Sequence, residues 1–207
     1  DGFRAVMLAQ YDACSALAER ATDLVLAALG LPESVQEAHR GDRTASSMRL
    51  THYTLGDPVP EGERDGLSDL AEVSLGQHTD LGLVTMLLQD DTGGLQALSA
   101  VDGWIDVPPE PGTIVVNLGD CMQVWTNDRY RAALHRVLPM TTSTRMSIPY
   151  FLNPARACVV EPIAELAENS PAYRSFPFRQ LLDARAADNY ADAGAPDAQI
   201  SDYRITP

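Results

Sequence analysis

Over residues 3–29 the apolar side chains Phe3, Val6, Met7, Tyr11, Cys14, Leu17, Ala18, Ala21, Leu24, Val25 and Ala28 recur at the spacing of one helix face. Gly30 and then Pro32 supply stop chemistry. The pattern predicts a long amphipathic helix whose apolar stripe, with Phe3, Met7 and Tyr11 on it, faces a core. Residues 33–46 are polar and read as a loop, with His39 as a solvated loop residue. At residues 47–54 the period changes to two, which predicts a strand. Residues 56–69 are rich in Gly, Pro and acids and read as a loop.

From residue 73 onward the helical period is gone. Short apolar runs at 83–88, 95–98, 104–107, 113–118, 134–138 and 145–152 are separated by turn residues. Such spacing predicts an all-β sandwich or barrel. The paired glycines Gly93 and Gly94 make residues 89–95 a hairpin candidate. Residues 163–168 and 178–187 read as short helices, and Trp104 and Trp125 as core anchors. The tail from Ala191 is small, acidic and weakly patterned, with Asp202-Tyr203-Arg204 as a docking segment. With no internal repeat and no low-complexity tract, residues 1–207 read as a single domain, mainly β with flanking helices.

Charge narrows the partners. The net charge is −14, and all 15 basic residues are Arg. Nucleic-acid binding rests on a basic footprint, and an anionic membrane surface is disfavoured by the same sign argument. Without Lys there is no Schiff-base lysine and no P-loop lysine. Cys14, Cys121 and Cys158 are odd in number and widely spaced, which suggests neither a zinc knuckle nor a disulfide framework and fits a reducing cytoplasm. No run approaches transmembrane length and no signal peptide is visible.

The chemistry concentrates in Gly76-Gln77-His78-Thr79-Asp80-Leu81-Gly82. On an extended chain His78 and Asp80 point the same way. Two His and one carboxylate on one face of an octahedral ion are the ligand set of non-haem Fe(II) oxygenases. The second imidazole would be His135, at the start of a distant strand. Zinc is the competing ion, although a structural zinc site would close with a fourth ligand and favour Cys. Further on, Arg145 and Ser147 share a strand face, and a guanidinium beside a hydroxyl makes a carboxylate receptor. Tyr53 could add a hydrogen bond from the first strand. His52 should point the other way. Asn127, Arg129 and Tyr130 fit a pocket rim or a plain loop equally well, and Asp90, Asp91 and Asp120 read as turn acids.

These stretches carry a resemblance. Arg49-Leu-Thr-His-Tyr53, His78-Thr-Asp80 through Asp90, Gly93-Gly-Leu-Gln96, Gly103-Trp-Ile-Asp-Val107, Val116-Asn-Leu-Gly-Asp120, His135-Arg-Val137 and Arg145-Met-Ser147 occur together in order. In this the chain resembles the 2-oxoglutarate- and Fe(II)-dependent dioxygenases of the isopenicillin N synthase-like family. The resemblance implies a double-stranded β-helix, a jelly roll of cupin-like form. It implies Fe(II) held by His78, Asp80 and His135, and 2-oxoglutarate bound by Arg145, Ser147 and Tyr53. It also implies that an N-terminal segment usual in the family is missing here. The activity expected is oxidation of a small molecule with O2 by hydroxylation, desaturation or cyclisation, with release of succinate and CO2, as in specialised metabolism. Two alternatives remain open at this point: an Fe(II) oxidase of the isopenicillin N synthase or aminocyclopropane-carboxylate oxidase type that does not use 2-oxoglutarate, and a catalytically silent jelly-roll binding protein. Thr54 and Ala132 depart from the family, standing where relatives often carry Pro and Ser.

Overall fold

Strand Arg145–Leu152 shows how the sequence organises the molecule, because its side chains alternate between two environments. Arg145, Ser147, Pro149 and Phe151 point into a cavity. Tyr150 and Leu152 are fully buried on the other side, in the main apolar core. The residues described in this computed structural model are 2–55, 75–168, 170–188 and 199–205.

In chain order the strands are β1 (Ser47–Met48), β2 (Thr51–Tyr53), β3 (Leu75–His78), β4 (Val84–Gln89), β5 (Leu95–Ser99) and β6 (Gly103–Asp106). They continue with β7 (Val115–Leu118), β8 (His135–Val137), β9 (Arg145–Leu152), β10 (Val159–Val160) and β11 (Phe176–Pro177). The helices are α1 (Gly2–Ala27), α2 (Glu33–Ala38), α3 (Asp120–Trp125), α4 (Ala164–Ala167) and α5 (Phe178–Asp188). One sheet runs β1-β9-β4-β7 with β2 also on β9, and a second runs β3-β8-β5-β6. Pairing in both is antiparallel.

The two sheets face each other across a cavity of about 100 Å³. Period-two alternation on β4, β7 and β8 sends Thr85, Leu87, Val115, Asn117, His135 and Val137 inward. Behind the first sheet lies α1, whose buried positions Cys14, Ala18, Thr22 and Leu26 recur every fourth residue. Tyr11 meets Tyr150 edge-on, with ring centroids 5.1 Å apart. No helix among the described residues is long and apolar enough to cross a membrane.

Several expectations are corrected. Phe3 and Val6 are not core residues but 72% and 67% exposed, because the buried stripe of α1 begins only at Cys14. Residues 33–38 form a short helix rather than loop: Val35 and Gln36 donate to the Pro32 carbonyl, and six residues with only Val35 and Ala38 apolar are too short to show a period. His39 is not solvated; its Nδ1 bonds the Val35 carbonyl at 2.8 Å and its ring stands edge-on to Trp125. The strand at 47–54 is broken in two, since Pro149 on β9 has no N–H to offer opposite the break.

Residues 89–95 are not a hairpin. β4 and β5 belong to different sheets, and Gly93 and Gly94, at φ 84° and 88°, carry the chain across. The local hairpin is β5–β6, closed where Ser99 pairs with Gly103. Trp125 is a core anchor, but Trp104 lies outside, with the Arg136 guanidinium 4.1 Å from its ring centroid. The loop expected at 56–69 and the start of the acidic tail lie outside the described residues. The tail's end is docked: a 3-10 turn at Ile200–Tyr203 is followed by Arg204, which pairs with Asp128 at 2.5 Å.

Candidate metal and co-substrate site

β3 lies beside β8 with His78 directly opposite His135. This cross-strand pairing brings the two imidazoles to 4.3 Å between centroids. Asp80 follows two residues after β3 ends, and its Oδ1 is 3.9 Å from each Nε2. One donor atom from each of the three residues fits within 4.8 Å.

The other polar atom of each side chain is already occupied. His78 Nδ1 donates to the Gly76 carbonyl at 2.8 Å, and His135 Nδ1 to the Ala133 carbonyl at 2.9 Å. A carbonyl only accepts, so Nδ1 carries the proton and Nε2 keeps its lone pair. Asp80 Oδ2 accepts from Thr85 Oγ1 at 2.6 Å and from Asn117 Nδ2 at 2.8 Å, leaving Oδ1 free to turn toward the imidazoles. Burial, and then the neighbouring His135, hold the His78 imidazole below its usual pKa. The result is two imidazoles and a carboxylate whose Nε2 and Oδ1 atoms converge, a donor set suited to a divalent cation.

Close backbone approach makes this convergence possible. A Cβ on Gly119 would lie 2.4 Å from the Gly82 carbonyl oxygen and 2.8 Å from that of Asp80. Gly119→Ala is therefore expected to push the His78–Asp80 loop outward. Overpacking of this kind costs about 1–3 kcal/mol, or roughly 2–10 °C in Tm at this chain length. Thermal melting and a Co(II) titration would record a fall in both stability and metal affinity.

In the same cavity sits a second group. Arg145 is 1% exposed, and its Nη2 donates to Gln89 Oε1 at 3.1 Å. Its Nε and Nη1 are buried without a partner, and among the described residues no carboxylate forms a salt bridge with it. Ser147, 4% exposed, lies two residues along on the same face. Tyr53 pairs with Arg145 across β2 and β9, its ring centroid 4.9 Å from the guanidinium carbon. Burying an unpaired cation is costly, and an anion in the cavity would offset that cost.

All six residues singled out from the sequence, His78, Asp80, His135, Arg145, Ser147 and Tyr53, line this one cavity. The His135 and Arg145 strands are not neighbours; they face each other from opposite sheets. His52 is exposed and outside. Asn127, Arg129 and Tyr130 do not line the cavity: Asn127 Oδ1 accepts from the Ala172 amide, and Arg129 donates to the Leu166 carbonyl. Asp90 is a turn acid as expected, accepting from the Thr92 and Met146 amides. Asp120 is not: it is 1% exposed and paired with Arg185 at 2.6 Å.

Sequence reading missed Thr85, Asn117 and Gln89. Period two on β4 would have found two of them, because Thr85, Leu87 and Gln89 share a face. Ala132, unexplained from sequence, uses its backbone N–H to bond Gln123 Oε1.

The molecule has known relatives. A sequence pattern described as the 2OG-Fe(II) oxygenase superfamily matches residues 45–154, just over half of the chain. The 2-oxoglutarate-Fe(II) type oxidoreductase hxnY of Emericella nidulans is 34% identical over 206 residues, covering 97% of this chain and 56% of that protein. 1-Aminocyclopropane-1-carboxylate oxidase 1 of Oryza sativa subsp. japonica is 39% identical over 180 residues, covering 86% and 53%. Among solved structures, a full-length Neurospora crassa protein in complex with alpha-KG superposes with a TM-score of 0.75 at 30% identity, covering 90% of this chain and 57% of that one. The chain thus spans just over half the length of these relatives. The paired antiparallel sheets are those of a double-stranded β-helix, helices pack outside them, and the matched residues run from before β1 to just past β9: the chain belongs to the 2OG-Fe(II) oxygenase superfamily.

Proposed function

We propose that His78, Asp80 and His135 hold Fe(II), that Arg145, Ser147 and Tyr53 receive the far carboxylate of 2-oxoglutarate, and that the chain oxidises a small molecule with O2. One observation carries this reading: a guanidinium with two unpartnered nitrogens is buried in the same cavity as two imidazoles and a carboxylate. Spacing along β4 supports it. Thr85 supports the metal end and Gln89 the Arg145 end, four residues or about 13 Å apart along the strand. After both side-chain reaches are subtracted, that span suits a short dicarboxylate.

When bound, iron and 2-oxoglutarate would activate O2, which is the oxidant: two of its four electrons would come from the co-substrate, leaving succinate and CO2, and two from the substrate. The protein's share is geometric. His78, Asp80 and His135 would hold the ion and would leave positions on it for co-substrate and O2. Thr85 and Asn117 fix the Asp80 carboxylate, while Gln89 steadies Arg145. Leu87, Leu95, Val115 and Val137 line the cavity between the two ends and keep water out. The free thiols Cys14, Cys121 and Cys158 support a cytoplasmic setting, and we read the chain as one domain.

Anaerobic addition of Fe(II) and 2-oxoglutarate is expected to give a weak visible charge-transfer band that needs both. A protein that stays colourless and binds no metal would end this reading. The identity to the rice oxidase favours a second one, in which the same iron site works without 2-oxoglutarate. Succinate released in step with product selects the first, and turnover without 2-oxoglutarate selects the second.

A further inference from the structure

Outside the cavity, a second layer of side chains grips the backbone that carries His78 and Asp80. Arg185 projects from α5, 11% exposed, against Asp120 at the start of α3. Its Nη1 donates to the carbonyl of Thr79, the residue between His78 and Asp80, at 3.1 Å. Its Nη2 donates to Asp120 Oδ2 at 2.6 Å and to Gln199 Oε1 at 3.0 Å. Asp120 returns to the same loop, its amide donating to the Asp80 carbonyl at 2.7 Å. The HxD segment is therefore held by its main chain from α3 and α5, and Gln199, the residue before the C-terminal 3-10 turn, steadies Arg185.

We propose that Arg185 is a positioning residue for the metal centre: bonded to the Thr79 carbonyl and to Asp120, it holds His78 and Asp80 in chelating register from outside the barrel. The proposal rests on the metal role given above to His78, Asp80 and His135. Charge argues against a simpler account. The positive guanidinium of Arg185, bonded to the Thr79 carbonyl between His78 and Asp80, opposes a second cation bound there. A guanidinium placed for its field would weaken the site, so any gain in affinity it confers must come through geometry. Burial raises the Asp120 carboxyl above its usual range while Arg185 pulls it back, so the pair is coupled and each partner depends on the other.

The sign of one measurement decides between these. Metal-free wild type, Arg185→Met and Arg185→Lys are titrated anaerobically with Co(II), read by its visible d–d absorption, with near-UV circular dichroism and Tm as checks on folding. Loss of an outer hydrogen bond to a ligand segment typically weakens metal binding about 10- to 100-fold. That loss is expected for Arg185→Met, with part of it recovered by Arg185→Lys, whose ammonium can still bond the Thr79 carbonyl. Met also strands the buried Asp120 carboxylate, so Arg185→Met/Asp120→Asn is measured beside it. For a positioning residue, the double variant regains Tm but stays weak in Co(II) affinity.

Unchanged or tighter Co(II) binding in Arg185→Met would overturn the proposal, as would full recovery of affinity in the double variant. A wild type that binds no Co(II) would instead bring down the metal reading, and this proposal with it.

Discussion

Asp80→Ala is expected to abolish divalent-metal binding, lowering affinity by more than about 100-fold, beyond what losing a supporting hydrogen bond costs. Asp80 is the only carboxylate among the described residues that shares a donor cluster with His78 and His135. Of the three proposed ligands it alone would bring negative charge to a dication. Removing it leaves two imidazoles, and an octahedral ion has no reason to prefer them over water. Turnover should disappear with the metal. Stability responds separately. Thr85 Oγ1 and Asn117 Nδ2 both donate to Asp80 Oδ2, and both lose their acceptor. An unsatisfied buried donor costs about 1–3 kcal/mol, yet a buried carboxylate is removed at the same time, so the net change in Tm should be modest. Anaerobic Co(II) titration and thermal melting separate the two effects. Wild-type metal affinity in a folded Asp80→Ala protein would show that the ion, if any, is held elsewhere.

Arg145→Leu has two expected consequences of opposite sign. Affinity for 2-oxoglutarate should fall by about two orders of magnitude or more, since a charge-assisted pair with a carboxylate in a dry cavity is worth roughly 2–5 kcal/mol. Affinity for iron should hardly change, because the guanidinium makes no hydrogen bond to His78, Asp80 or His135. Without co-substrate the variant should be more stable than wild type. Wild type carries a buried guanidinium with two unpartnered nitrogens, and Leu removes that penalty in a cavity also lined by Leu87 and Val107. A gain of about 1–3 kcal/mol would raise Tm by roughly 2–10 °C, and the further rise that 2-oxoglutarate gives wild type should vanish. Isothermal titration and melting with and without 2-oxoglutarate read both consequences. Wild-type co-substrate affinity in Arg145→Leu would remove Arg145 as the anchor.

Much of this chemistry was legible in the sequence, for a local reason. HxD and RxS each place two side chains on one face of an extended chain, and period two is a property of the backbone itself. The strand runs at 83–88 and 145–152 were visible because they bury one face or both. The α1 stripe was legible from Cys14 onward and misread at Phe3 and Val6, because a period reports which side of a helix is apolar and not how much of its length is covered. The short helix at Glu33–Ala38 and the isolated His39 gave no period at all.

What the amino-acid order alone determined is the local pairing of the candidate side chains: His78 with Asp80, Arg145 with Ser147. Only the tertiary structure decided that His135 stands opposite His78 on a neighbouring strand, that β4 and β5 part into different sheets instead of forming a hairpin, and that Asp120 is clamped by Arg185 rather than resting in a turn. The physical reason is range. Backbone period and turn chemistry act over a few residues and leave their mark in adjacent letters. Sheet partnership and buried ion pairs are settled by which distant segments exclude water together, and no single stretch of the chain records that choice.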